Sequence, residues 1–202
     1  MMISKMLRFA LAAIGLAGCM ACGSSSTTPS ISLGTLHVDV SDPVGDAIVD
    51  SRIAVSPDLV AATVDVSAGN ITFLIRFAPG TLDRQTTRVA IVLDTDRSGS
   101  TGISQGNGLG ADYALDLTAI TSQAAITKAD PVACAARQSC FTPLGSVAMD
   151  VGADRMLVNV PLTMLGSADG RMCFQMHAYV LFGIGDAVNV DFMPDSGGAC
   201  LQ

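Results

Sequence analysis

Carboxylates and hydroxyls are concentrated in the segment Asp94-Thr-Asp96-Arg-Ser98-Gly99, which directly follows an apolar stretch. Calcium binds six to eight oxygen ligands, drawn from carboxylates, carbonyls and water. The first and third positions of this segment are aspartates, and the fifth position is a serine. This spacing puts three side-chain oxygens on one side of a tight turn. Gly99, at the sixth position, is expected to supply the sharp bend. We therefore predict a site for calcium or a similar hard cation at Asp94, Asp96 and Ser98.

The twelfth position of this segment departs from a helix–loop–helix calcium loop, because Gln105 stands where a bidentate glutamate is needed. The missing carboxylate must come from elsewhere, and Asp112 is the candidate. The flanking segments also have the pattern of strands. The alternative is a solvated loop that only turns the chain. The length of this loop favours a functional role, since long loops in compact domains are usually functional or disordered.

Catalytic motifs are poorly represented, and we predict that the protein is not an enzyme. Gly-x-Ser-x-Gly does not occur, and His-Glu-x-x-His is impossible because all 18 acidic residues are aspartates. Two aspartates could hydrolyse a glycoside, but nothing singles out one pair. The two histidines, His37 and His177, are expected at exposed strand positions rather than as haem ligands.

The N-terminus has the pattern of a secretory signal peptide. Lys5 and Arg8 precede an apolar run over residues 9–16, and small residues follow it. The run is too short to span a bilayer, which needs roughly 20 apolar residues.

The sequence Leu16-Ala-Gly-Cys19 resembles the lipobox of bacterial lipoproteins. The resemblance implies that residues 1–18 are removed and that Cys19 is acylated. It also implies an exported protein, lipid-anchored to the bacterial cell envelope at the outer membrane or the cell surface. Several acyl chains anchor a protein firmly. The alternative is an ordinary secreted protein cut near Ala21. Residues 19–33, rich in Ser and Thr, are expected to form a flexible tether, followed by one domain over 34–202.

The charge pattern argues against a helical domain and against nucleic acid as a partner. Glu is absent, and Lys128 is the only lysine after Lys5, whereas helix surfaces are usually built from Glu, Lys, Gln and Arg. The formal net charge is −7, and it falls to −9 without Lys5 and Arg8. A nucleic-acid-binding protein would need a basic surface. The acidity favours either solubility or cation binding.

The cysteines fit an oxidising compartment. Cys134 and Cys140 bracket a short loop and are expected to form one disulfide, which leaves Cys173 and Cys200 for a second. Cys22 is left over in the tether. A metal–thiolate site is the less favoured alternative, because no Cys-x-x-Cys pair follows the tether.

Most of the domain alternates apolar and polar residues with a period of two, which is typical of strands. Two hairpins are expected, one turning at Ala68-Gly-Asn70 and the other at Gly152-Ala-Asp154. A long Gly-rich loop is expected over 95–110, and one helical turn over 161–166. About ten strands with minimal helix predict an all-β fold, an antiparallel sandwich or barrel.

Five short motifs occur in an order that resembles the β-sandwich modules of family 9 carbohydrate-binding modules and DOMON domains. They are Asp42-Pro-Val-Gly-Asp46 with Asp50, Leu93-Asp-Thr-Asp96, Gly110-Ala-Asp-Tyr113, Val160-Pro-Leu-Thr-Met-Leu-Gly166 and Asp191-Phe-Met-Pro-Asp195. The resemblance covers about residues 36–195. It implies a jelly-roll-like β-sandwich, often with structural calcium, that binds sugars or, in some members, haem.

The aromatic content departs from the sugar-binding pattern. Sugar platforms use the flat faces of Trp and Tyr, whereas this chain has no Trp and only Tyr113 and Tyr179. We expect a lipid-anchored binding or interaction module, calcium-stabilised, whose ligand is a glycan or a protein. The alternative is a structural envelope lipoprotein without a small ligand, and a hydrolase is less favoured.

Overall fold

The computed structural model describes residues 35–167, 169–182 and 186–202. The predicted signal peptide, Cys19 and the tether lie outside the described residues. The described part contains one short α-helix, α1 (Pro131–Ala135), one 3-10 helix (Leu162–Leu165) and thirteen strands. The strands are β1 (Leu36–Ser41), β2 (Leu59–Ser67), β3 (Asn70–Phe77), β4 (Thr87–Asp94), β5 (Ile103–Ser104), β6 (Gly110–Ala111), β7 (Tyr113–Thr118), β8 (Gln123–Ala129), β9 (Phe141–Val151), β10 (Arg155–Pro161), β11 (Cys173–Phe182), β12 (Asp186–Met193) and β13 (Ala199–Cys200).

The large sheet follows the order β1-β2-β3-β10-β9-β8-β7-β4-β11-β12, with β13 beside β11 and a separate β5-β6 ribbon. Every pairing is antiparallel. Strand β9 belongs to two layers, because residues 141–148 pair with β8 and residues 149–151 pair with β10. The predicted all-β antiparallel sandwich is confirmed.

The core lies between the two layers. Alternate residues of β2, β3 and β10 are buried from one side, and alternate residues of β4, β7 and β11 from the other. Phe73 of β3 meets Phe174 of β11 edge to face, with ring centroids 5.9 Å apart, and both are fully buried. This is a favourable aromatic geometry, and it joins the centres of the two layers.

Both predicted hairpins are confirmed. Ala68 and Gly69 connect β2 to β3 with φ of 50° and 78°, the left-handed pair that matches the twist of a two-residue hairpin. Residues 152–154 connect β9 to β10. The predicted helical turn is the 3-10 helix. The structure has more strands than predicted, however. Strands β5 and β6 pair with each other within and at the end of the expected loop over 95–110, and β13 pairs with β11.

Both predicted disulfides are confirmed. Cys134 in α1 is bonded to Cys140, and Cys173 in β11 is bonded to Cys200 in β13. The sequence pattern did not predict α1, whose N-terminus is capped by the Asp130 side chain, which accepts a hydrogen bond from Ala133 N at 2.9 Å. No helix in the described ranges is both long and apolar enough to cross a membrane.

Removing the Phe73 ring should destabilise the sandwich strongly. Phe73→Ala leaves a cavity between the layers, and we expect a loss of about 3–5 kcal/mol in the free energy of unfolding. Val44→Ala is the control, because Val44 is 75 % exposed and should change stability by less than about 0.5 kcal/mol. Urea denaturation measures both, and similar losses in the two variants would contradict this account of the core.

The two histidines should titrate on opposite sides of pH 6.5. Exposed His37 lies 2.6 Å from an oxygen of Asp65 and 3.0 Å from one of Asp39, which raises its pKa. His177, predicted to be exposed, is instead partly buried beside Phe192, and burial lowers its pKa although Asp116 opposes the shift.

The contribution of His37 to stability is therefore present below pH 6.5 and lost as the pH rises through its raised pKa. That of His177 is present above pH 6.5 and lost as the pH falls through its lowered pKa. Ring-proton NMR titration, with His37→Gln for assignment, measures both midpoints. A common midpoint would be inconsistent with these environments.

Candidate metal centre

The predicted cation site lies where two paired strands meet the long loop. Asp94 is the last residue of β4, and Asp112 directly precedes β7, which pairs with β4. The backbone N–H of Asp112 donates to the Leu93 carbonyl at 2.8 Å, so the sheet itself brings Asp94 and Asp112 side by side. Asp94, Asp96 and Asp112 each offer one carboxylate oxygen, and these three oxygens lie within 4.8 Å of one another.

This spacing suits a single calcium ion. Calcium–oxygen distances are about 2.4 Å, so two ligands of one ion lie at most about 4.8 Å apart. Within the described ranges, no ion pair to a lysine, arginine or histidine involves Asp94, Asp96 or Asp112. Among the described residues, their negative charge therefore has no basic partner.

The carboxylates also organise the loop through hydrogen bonds. Asp94, which is 2 % exposed, accepts from Ser98 N at 2.9 Å and from Gly110 N at 3.2 Å. Asp112 accepts from the backbone N–H and the hydroxyl of Thr95, at 2.8 and 2.9 Å. Such bonds hold a turn without an ion, so the alternative of a loop that only turns the chain stays open.

Ser98 approaches the carboxylates with its backbone and not with its hydroxyl. Its N–H donates to Asp94 and also to Asp96 at 3.0 Å. Its hydroxyl is hydrogen-bonded to that of Ser100 at 2.9 Å. The role of Ser98 as a cation ligand stays a prediction.

The bend expected at Gly99 has a different origin. Arg97 adopts the left-handed conformation, with φ of 57°, and Gly99 does not. Gly99 is needed for space, because a Cβ there would collide with the carbonyl of Gly108. Gly110 has the same constraint against the carbonyl of Thr101. The loop is therefore folded tightly onto itself around Asp94.

A second group of aspartates, which the sequence analysis did not identify as a site, lies elsewhere. Asp46 has an oxygen within 4.8 Å of those of Asp42 and Asp195, and likewise of those of Asp58 and Asp191. We call these five residues the seam cluster, because they lie where the segment before β2 meets strand β12. Four of them occur in the motifs that carry the family resemblance, and that was the available signal. Asp58 gave none, because it is a lone aspartate before an apolar strand.

Asp50, which belongs to the same motif as Asp42 and Asp46, has a different environment. The Arg52 guanidinium donates to its carboxylate at 2.7 and 3.0 Å, and the Arg52 N–H donates at 2.9 Å. These bonds lower the pKa of Asp50 to about 2. Asp50 is thus held by Arg52.

A shallow depression of about 340 Å³ is the candidate place for a ligand. Its lining is Tyr113, Lys128, Leu144, Thr163, Met164 and Gly166. Tyr113 is only 8 % exposed, and the Lys128 ammonium lies 6.0 Å from its ring centroid. The one aromatic ring here therefore offers little open face for stacking a sugar.

No protein-family model matches the chain, and no curated protein is significantly similar to it. The resemblance to carbohydrate-binding and DOMON modules accordingly rests on the short motifs alone and stays a prediction.

Proposed function

We propose that the protein is an exported lipoprotein, anchored through Cys19, whose single β-sandwich is a calcium-stabilised binding module rather than an enzyme. The observation that carries the proposal is the convergence of Asp94, Asp96 and Asp112 within 4.8 Å. Calcium there would tie the end of β4 to the start of β7 and fix the loop between them. A rigid loop on a sandwich is a common way to present a binding surface.

A protein partner fits the surface better than a glycan does. Among the described residues, the exposed large apolar side chains are all aliphatic: Val44, Ile48, Val49, Ile120, Val132 and Leu144. Sugar binding would favour exposed aromatic rings. The same observation supports the second candidate function, a structural envelope lipoprotein that packs against another envelope protein.

Calcium should stabilise the protein through the loop over residues 95–110, which follows Asp94 and is called the Asp94 loop below. At a hundred times Kd, a ligand that binds only the native state contributes about 2.7 kcal/mol, which corresponds to a rise in Tm of about 5–10 °C for a chain of this size. Asp94→Asn/Asp96→Asn should lose this contribution, because it removes two of the three carboxylates. Tm is measured by circular dichroism on the detergent-purified full chain, in EDTA and in millimolar calcium.

Asp154→Asn is the matched control, because Asp154 is an exposed aspartate in the β9–β10 turn, outside both aspartate groups. It should respond to calcium as the wild type does. Hydrogen exchange of peptides over 95–110 reports this loop directly. If calcium slows exchange there equally in wild type and Asp94→Asn/Asp96→Asn, the loop is not the cation site.

Lipid anchoring should depend on the Cys19 thiol. Cys19→Ser removes the acylation site, so we expect the variant to leave the membrane fraction or to keep residues 1–18. Cys22→Ser is the control and should fractionate normally. Membrane fractionation with intact-mass measurement tests both, and an unchanged, processed membrane form of Cys19→Ser would exclude the lipid anchor.

A further inference from the structure

The seam cluster lies where the two ends of the strand order meet. The Leu59 N–H, at the start of β2, donates to the Asp191 carboxylate of β12 at 2.5 Å. The Ile48 N–H donates to the Val190 carbonyl of β12 at 2.7 Å. The segment between β1 and β2 therefore closes against β12, and the seam is the line of contact between them.

Two carboxylate oxygens at the seam are buried without a hydrogen-bond partner. Asp58 is 5 % exposed; its Oδ2 accepts from Gly45 N at 2.8 Å, whereas its Oδ1 has no partner. Asp42 Oδ2 is in the same situation. Burying an unsatisfied polar atom is costly, and such atoms in native proteins call for a specific explanation. The same Asp58 carboxylate has an oxygen within 4.8 Å of those of Asp46 and Asp191, so the buried, incompletely satisfied group belongs to the cluster.

Mutual repulsion adds to the cost of this arrangement. Oxygens of Asp42 and Asp195, and likewise those of Asp58 and Asp191, lie within 4.8 Å of one of Asp46, and like charges at such short range repel one another. No ion pair within the described ranges compensates any of the five carboxylates with a basic side chain.

We propose that the seam cluster is a second divalent-cation site, with Asp46, Asp58 and Asp191 as its inner ligands and Asp42 and Asp195 completing the outer side. Its donors are all oxygens, which suit calcium rather than zinc, for which nitrogen and sulfur ligands are typical. Magnesium usually binds through only one or two carboxylates and keeps several waters, so a group of five favours calcium. This proposal does not depend on the Asp94 loop.

The bound cation would join three separate parts of the chain. Asp42 and Asp46 lie just after β1, Asp58 directly precedes β2, and Asp191 and Asp195 belong to β12 and the turn after it. Satisfying Asp58 Oδ1 and neutralising the cluster removes the penalties described above. The cation would therefore hold segment 43–58, including Gly45 and Ile48, against the seam.

The test compares the detergent-purified full chain with its Asp46→Asn variant, each in EDTA and in millimolar calcium. Asp46 is exposed and belongs to both halves of the cluster, so its substitution spares the core. In EDTA, Asp46→Asn should match or exceed the wild-type Tm, because it relieves repulsion. In calcium its Tm should fall below that of the wild type by several degrees. A merely structural role would shift Tm equally in both conditions and would overturn the proposal.

Hydrogen exchange separates this site from the Asp94 loop. Calcium should slow exchange of peptides over 43–58 in the wild type and in Asp94→Asn/Asp96→Asn, but not in Asp46→Asn. Calorimetric titration should show fewer bound ions in Asp46→Asn than in the Asp154→Asn control. If Asp94→Asn/Asp96→Asn abolishes every calcium response, or if Asp46→Asn keeps the response over 43–58, the seam is not a cation site.

Discussion

Strand β9 pairs with β8 along residues 141–148 and with β10 along residues 149–151, so one continuous strand passes from one layer to the other. This fixes the two layers at one side of the sandwich and leaves the other side to be closed by different means. There, β12 meets the start of β2 and the segment before it, through the Asp191–Leu59 and Ile48–Val190 hydrogen bonds. Both candidate cation sites depend on this framework, because sheet pairing positions one and closure of the seam positions the other.

The exclusive use of aspartate has a structural meaning at both sites. A short side chain keeps its carboxylate near the backbone, where it can accept hydrogen bonds from nearby N–H groups. Asp94 does this with Ser98 and Gly110, and Asp58 does it with Gly45. Glutamate would carry its charge further from the chain. The aspartates thus shape loops and concentrate negative charge at the same positions.

Much of the fold was predictable because period-two alternation and turn residues are local signals. The β2–β3 hairpin follows from its alternating strands and from Gly69, and the disulfides follow from the spacing of four cysteines. The grouping of Asp94 with Asp112 was also accessible, because each aspartate adjoins an apolar strand.

The seam cluster was not predictable as a whole. The motifs of the family resemblance contain four of its aspartates, but Asp58 lies outside them, and strands distant in sequence bring it to Asp191. Helix α1 was not predicted either, since a five-residue helix is too short to show a helical periodicity in the sequence. The left-handed conformation of Arg97 could not be anticipated, because arginine has no preference for it. The glycine in this turn, Gly99, is needed for space instead.

The Leu59–Asp191 hydrogen bond links residues 132 positions apart, and this separation has a consequence for the order of assembly. Contacts between distant segments form late, because the chain between them must first lose its freedom. Until β12 arrives, the N–H groups of Ile48 and Leu59 lack their acceptors, although β2 is already paired with β1 and β3. A still-emerging copy would carry this segment unanchored, together with Asp42, Asp46 and Asp58, whose like charges repel a second copy. The carboxylates that repel one another in the folded protein would therefore also keep incompletely folded copies apart and oppose their aggregation.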